Sequence, residues 1–453
     1  MVGTEVDAPT RPDALPTAAG TGGMRSERSH SMFVTLGVLA LFVAVVVIAN
    51  RWGEALLARG VRLQIMTPPL NGAFDWRPGR TAIPALICGV VLLLAIPNVA
   101  ARCRWVTVLA ISALGSIAWA ITIALVDGSE ALTEPLLRNQ YLNSIYQVGD
   151  LHTYLTTFTA RLPGYNIHTK GHPPGFVVLL WAMDHLGFGG ARWEAALVFA
   201  GGAAAVVAVL VAVRDVAGDT AARRSAAFLV LTPAAIAWTS GDPFFAGVGA
   251  WAVTLVILGT GRSGRRRDAL AVAGGVLFGW AAFLSYGLVL LALIPVVIAV
   301  WRRAFRPLAI AGAVMVAVTL AVWGGTGFAW WEGLAATRVQ YFHGVGGRRP
   351  YDYFLLGNLA AFALAVGPAT AVAVARVRQR PLVVLVGAAL AVVLIANVSG
   401  MSKAEVERIW LPFVPWVMAA GAVLMTTRWV TRGWLAAQVG FTVLVAVAIR
   451  APW

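Results

Sequence analysis

The chain has 453 residues, of which 59% are hydrophobic and only 12% charged, with a mean hydropathy of +0.78. A soluble domain carries about 25% charged residues, so this composition excludes a water-facing globule and points to a polytopic membrane protein. The formal charge of +15 is spread over short loops rather than gathered in a patch, which argues against nucleic acid as a partner.

Residues 1–32, rich in Pro, Gly, Ala and Thr, have the composition of a disordered tail. No small-residue cleavage site follows the apolar run from Met32 to Ile48, so it reads as a first span rather than a signal peptide. With about 17 to 25 residues per crossing, thirteen spans are predicted: 33–50, 83–100, 105–126, 195–213, 225–240, 244–260, 269–284, 286–301, 307–324, 353–374, 381–397, 409–426 and 433–449. The fold class is therefore all-α, a transmembrane helical bundle. Two cysteines, Cys88 and Cys103, give neither a disulfide framework nor a zinc spacing.

Arginine placement orients the bundle, because cytoplasmic loops hold an excess of positive charge. Arg102 and Arg104, Arg214 with Arg223 and Arg224, Arg262 with Arg265 to Arg267, Arg302 with Arg303 and Arg306, Arg376 with Arg378 and Arg380, and Arg428 with Arg432 all fall on one side. That alternation holds only if the stretch 173–188 is re-entrant or interfacial. Thirteen crossings then place the tail in the cytoplasm and Trp453 outside.

The opposite face carries the loops 51–82, 127–172, 239–243, 325–352 and 398–408. They hold His152, His168, His172 and His343, and both lysines of the chain, Lys170 and Lys403. The loop 127–172 is too long for a mere connection, and parts of it suit short helices on the membrane surface. Asp127 ends the third span, where a rigid helix would fix a general base within reach of a hydroxyl; the plain alternative is a polar span terminus. The run His168-Thr169-Lys170-Gly171-His172-Pro173-Pro174 offers two imidazoles and an ammonium on a backbone stiffened by prolines, a set that suits a phosphate. The alternative is a polar turn leading into the membrane. Asp242 tops an outward hairpin and is expected to face a cavity rather than lipid, or to form an Asp-Pro turn. Tyr341, His343, Arg348 and Arg349 in 325–352 fit phosphate or sugar recognition, or an interfacial aromatic belt. Glu407 and Arg408 precede a span as a buried pair or a second phosphate contact.

No Walker loop, dinucleotide fingerprint or metal-ligand cluster is present in the sequence. An ATP-driven transporter is thereby set aside, whereas an ion-coupled carrier is not.

An outward carboxylate after a span, a long loop of surface helices, the segment Gly171-His172-Pro173-Pro174, Leu231-Thr232-Pro233 at a later span end and Glu405-Val406-Glu407-Arg408-Ile409-Trp410 in the last external loop together resemble the GT-C glycosyltransferases. Similar relatives are the lipid-A aminoarabinose transferases, protein O-mannosyltransferases, and cell-envelope arabinosyl- and mannosyltransferases. The resemblance covers about residues 105–426 and leaves two additional spans in 33–104. It departs from the pattern at Arg138-Asn139-Gln140, where those enzymes carry an Asp-Glu pair. The catalytic carboxylate is then Asp127, with Glu134 and Asp150 as alternatives.

The resemblance implies transfer of a sugar from a polyprenyl-phosphate donor to a lipid-linked, glycan or protein acceptor, with inversion, at the outer face of a bacterial plasma membrane. Lys170, His172 and Arg408 are expected to converge on the donor phosphate. No metal is demanded by the residues, and a divalent ion is compatible with the chemistry. The competing expectation is an ion-coupled transporter or flippase for an anionic lipid or solute, using Asp127, Asp242, His172 and Glu407. A noncatalytic scaffold of an envelope-assembly complex is the third.

Overall fold

The computed structural model describes residues 21–138 and 140–453, with side chains from Met32 onward. The expected tail, 1–32, lies outside the described residues up to position 20. From Thr21 the backbone is helical and continues into the first span as one helix, Thr21–Ala58.

The chain is an all-helical, polytopic membrane-spanning bundle. Among the described residues, nine helices are long and apolar enough to cross a bilayer, and a bent pair makes a tenth candidate. That is fewer than the thirteen expected, and the difference has a local cause. The expected span 225–240 is a helix, Asp219–Val230, followed by a 3-10 segment, Pro233–Ala237, because Pro233 can neither donate to the helix nor fit against its preceding turn. The expected span 409–426 is likewise divided, into Leu411–Phe413, Val414–Met418 and Ala419–Leu424, around Pro412 and Pro415. The span at 286–301 begins as a 3-10 turn, Tyr286–Ala292, before the helix Leu293–Arg302. The bent pair is 353–374: Tyr351–Val366 and Pro368–Arg376 meet at 95° across Gly367, whose φ of +82° only glycine adopts without strain.

Loops bearing arginine meet at one end of the bundle. Arg223 donates to the carbonyl oxygens of Ala100 (2.7 Å) and Cys103 (3.0 Å), Arg262 and Arg302 share the carboxylate of Asp215 (3.0 and 2.7 Å), and Arg306 pairs with Asp268 (3.0 Å). At the opposite end two short strands, β1 (Ala73–Phe74) and β2 (Ile449–Arg450), pair antiparallel with Ala73 opposite Arg450. The segment expected to be re-entrant or interfacial contains one helix, Gly175–His185, of 11 residues. At about 1.5 Å per residue it is about half a bilayer long.

The bundle centre is the helix Asp242–Thr260, whose most apolar stretch is 78% buried. It packs against Ala191–Ala217 at backbone distance. A Cβ on Gly247 would lie 2.5 Å from the Gly201 carbonyl oxygen, and one on Gly201 would lie 2.4 Å from the Phe244 Cα. Small residues at this crossing replace side-chain burial with direct helix-to-helix van der Waals contact, and they set the depth of Asp242, which begins the central helix.

Candidate functional site

At the end opposite the arginine loops, charged side chains from distant segments are buried together. Asp242 accepts from Arg408 Nη1 at 2.6 Å and from Ser240 Oγ at 3.2 Å. Arg408 Nη2 donates to Glu405 Oε2 at 3.0 Å, and its guanidinium lies 5.1 Å from the ring centroid of Trp453. The pair Asp242–Arg408 is about 4% exposed on each side. Burial opposes charge on Arg408, yet Asp242 and Glu405 outweigh it and raise the guanidinium further above its ordinary value.

Segment 402–408 is held by its neighbours in a sparsely populated conformation. Ala404 and Glu405 both have left-handed φ, +70° and +60°, which costs of order 1–3 kcal/mol each for residues other than glycine. Asn358 accepts from the Ala404 amide at 3.1 Å and donates to the Ser402 carbonyl oxygen at 2.7 Å. Arg349 donates to Leu63 O (3.0 Å), Gln64 O (3.1 Å) and Lys403 O, and faces Glu405 at 3.6 Å. Lys403 Nζ donates to Gly346 O and Arg349 O, while its amide donates to the Tyr341 hydroxyl at 2.9 Å. The donors of Arg349 and Lys403 are thus spent on backbone carbonyls that join three loop segments at this end of the bundle.

The loop 127–172 closes over this cluster. Tyr141 is buried, packs edge-on against His168, His172, Phe176 and Phe245, and has its hydroxyl 3.0 Å from His172 Nδ1. His172 Nδ1 is also 2.9 Å from the His168 carbonyl oxygen. A carbonyl only accepts, so Nδ1 carries the hydrogen and Nε2 is left as an acceptor. Burial holds the imidazoles of His168 and His172 below the ordinary range; Arg408 adds to the effect at both, and Asp242 opposes it at His172. His172 and Asp242 line a cavity of about 50 Å³, which has room for water but not for a sugar ring.

Two buried carboxyls complete the cluster. Glu407 receives the Asn71 amide on Oε1 at 2.9 Å and leaves Oε2 without a partner; burial pushes its carboxyl up to about 7. Glu194, 1% exposed, has no hydrogen-bond partner on either oxygen and is close enough to Tyr141 to influence its hydroxyl. The fourth expected span begins at 195 and so leaves Glu194 one position outside it; an acidic residue beside a long apolar run was the signal available.

Asp127 lies elsewhere, on an open cleft of about 350 Å³ lined by Arg77, Pro78, Gly79, Thr81, Asp127 and Arg450, among others. Its Oδ1 accepts from Arg77 Nη1, and Arg77 Nη2 donates to Ala446 O at 3.0 Å. Asp75 stands 3.6 Å from Arg77 and 3.8 Å from Arg450. The β1–β2 ribbon links cleft and cluster: Asn71 reaches Glu407, Arg450 reaches the cleft, and Trp453 covers Arg408. Arg77, Asn71, Arg450 and Trp453 had no signal in the sequence, because no local pattern links them to partners that lie tens to hundreds of positions away.

The other expected residues are peripheral. Asp150 caps the helix Leu151–Arg161, accepting from the Thr153 amide at 2.7 Å, and that bond holds its exposed carboxyl below the ordinary value. Glu134 pairs with Arg138 at the surface. Lys170 Nζ donates to Pro163 O at 3.0 Å, so of the three cations expected together only His172 joins Arg408, and His168 takes the place foreseen for Lys170. His343 and Arg348 are exposed. Among the described residues no group of three or more His, Cys, Asp or Glu is placed to hold a metal ion.

No family model matches the chain, and no curated protein matches it.

Proposed function

We propose that the chain transfers a sugar from a polyprenyl-phosphate donor to an acceptor hydroxyl at the outer face of a bacterial plasma membrane, with Asp127 as base. The observation that carries this reading is the Asp127 cleft, where one carboxylate and two guanidiniums share about 350 Å³ of open space. A phosphate leaving group calls for such cations, and an acceptor hydroxyl calls for such a carboxylate. Asp127 takes the hydroxyl proton, the acceptor oxygen attacks the anomeric carbon, and the carbon–oxygen bond to phosphate breaks with its electron pair on the lipid phosphate. Attack opposite the leaving group inverts the centre. Arg77 and Arg450 balance the charge on the departing phosphate; as Arg77 turns to that anion it releases an oxygen of Asp127.

The same proposal includes thirteen crossings. In support, the three divided segments near 225–240, 286–301 and 409–426 each run between the Asp242–Arg408 end and the arginine end, where Arg223, Arg302 and Arg428 stand. The resemblance to GT-C glycosyltransferases supports the reaction class through the residues quoted for it.

Purified protein incubated with radiolabelled polyprenyl-phosphate sugars and membrane extract should give a labelled product that Asp127→Asn strongly reduces. Absence of product from every donor tested, with folded protein, counts against the proposal.

One observation favours the carrier reading: Glu194, buried in a long apolar helix with both oxygens unpartnered, is the kind of group that binds a coupling proton. Proton uptake by proteoliposomes that Glu194→Gln removes and Asp127→Asn preserves would favour it instead.

A further inference from the structure

A third cavity, of about 480 Å³, opens between helices at the arginine end of the bundle. Four arginines line it, Arg223, Arg224, Arg428 and Arg432, and no carboxylate does. Arg223 is engaged with Asp219 and with backbone oxygens. Arg224 and Arg428 make no hydrogen bond or ion pair among the described residues, and Arg432 only stacks near Trp429, 5.9 Å from its ring centroid. The wall towards the membrane is apolar, with Leu93, Leu94 and Pro97, and Leu94 is 39% exposed. Trp429, 79% exposed, follows the lining residue Arg428, and exposed indoles anchor to the lipid headgroup region. Two helix N-termini add their dipoles: Asp219–Val230 and Arg428–Ala448, each within two residues of a lining residue.

We propose that this cavity binds the headgroup of an anionic phospholipid in the leaflet at the arginine end. The phosphate sits among Arg224, Arg428 and Arg432, the glycerol backbone follows Leu93 and Pro97, and the acyl chains leave past Leu94 into the bilayer. A free phosphate would use the same cations, but an apolar wall that opens sideways to lipid fits a headgroup that arrives with chains attached. Uncompensated guanidiniums in a partly dehydrated groove explain the preference for charge over a zwitterionic headgroup, whose own ammonium they repel.

The proposal is tested by native mass spectrometry of the full-length protein from micelles doped with equal phosphatidylglycerol and phosphatidylcholine. Wild type should retain phosphatidylglycerol in preference, by on the order of tenfold to a hundredfold. Arg224→Gln/Arg428→Gln/Arg432→Gln should retain the two lipids equally. The control Arg265→Gln/Arg266→Gln/Arg303→Gln removes as much charge from the same end and should keep the preference. Equal retention by wild type overturns the proposal, as does a loss shared by the control, which would mean diffuse surface charge. Displacement of the lipid by millimolar inorganic phosphate overturns it too, in favour of a soluble anion. If the first triple variant does not fold, Arg428→Gln alone, at an exposed residue, should lower the preference several-fold.

Discussion

Asp242 and Arg408, 166 positions apart, meet at 2.6 Å with each side chain only about 4% exposed. The pair joins the start of the central helix to segment 402–408. Removing one partner leaves the other charged and buried, which costs about 3–5 kcal/mol. Arg408→Met should therefore strongly lower the thermal midpoint in detergent, and Asp242→Asn should do so as well. The double variant should lose less than the sum, by about 0.5–3 kcal/mol. Strict additivity would mean that the two do not interact.

Asp127→Asn should lower transfer by about 10² to 10⁴-fold while the protein expresses and folds. The amide keeps the shape and can still accept from Arg77. Arg77→Gln and Arg450→Gln should instead weaken donor binding, read by titrating a nonhydrolysable polyprenyl-phosphate analogue. Full turnover in Asp127→Asn would remove the base from this cleft.

Stability should depend on pH through two opposing groups. The Glu407 carboxyl, raised by burial from 4.5 to about 7, holds its proton in the folded chain over a range where the unfolded chain has released it. Stability contributed by this group is therefore full below about 4.5 and falls as pH rises towards 7. His168 and His172 act on the acid side. Burial lowers both below 6.5, so acidification protonates the unfolded chain first and removes stability. Thermal midpoints across pH should show Glu407→Gln flattening the decline towards neutrality and His172→Gln flattening the acid limb; a Glu407→Gln profile parallel to wild type contradicts the assignment.

Glu194→Met should raise the thermal midpoint. It replaces a buried carboxyl with no partner by an apolar side chain of similar length, and an unsatisfied buried polar group costs about 1–3 kcal/mol. A lower midpoint would mean that the carboxyl has a partner the geometry does not show.

Topology can be read with a membrane-impermeant thiol reagent in a Cys88→Ser/Cys103→Ser background. Phe188→Cys, just beyond the helix Gly175–His185, should react in intact cells. Ser263→Cys, at the arginine end, should react only after permeabilisation. The reverse pattern would show that 173–188 crosses.

Helix content and the arginine-rich end were legible in the sequence because each depends on local composition: apolar runs of set length, and arginines between them. Helix breaks at Pro233, Pro412 and Pro415 were legible too, yet hydropathy averaged over a window hides them. The clustering of buried polar groups was half legible. Asp242, His172, Glu407 and Arg408 stood out as polar residues beside apolar runs, and they do come together. Glu194 did not, since one position decided whether it counted as interface or interior. Arg77 and Arg450 could not have been found from either segment alone, because the strand pairing that brings them to Asp127 involves two residues on each side.

The contact of Gly201 with Gly247 extends the site into residues that have no polar atoms beyond the backbone. A methyl group at either position must push the central helix away from its neighbour, and Asp242, five residues above Gly247, would be carried off Arg408. Inheritance of the charge pair is therefore constrained inside the bundle: a lineage that lost either hydrogen-only side chain would strain the pair without altering a single charged residue.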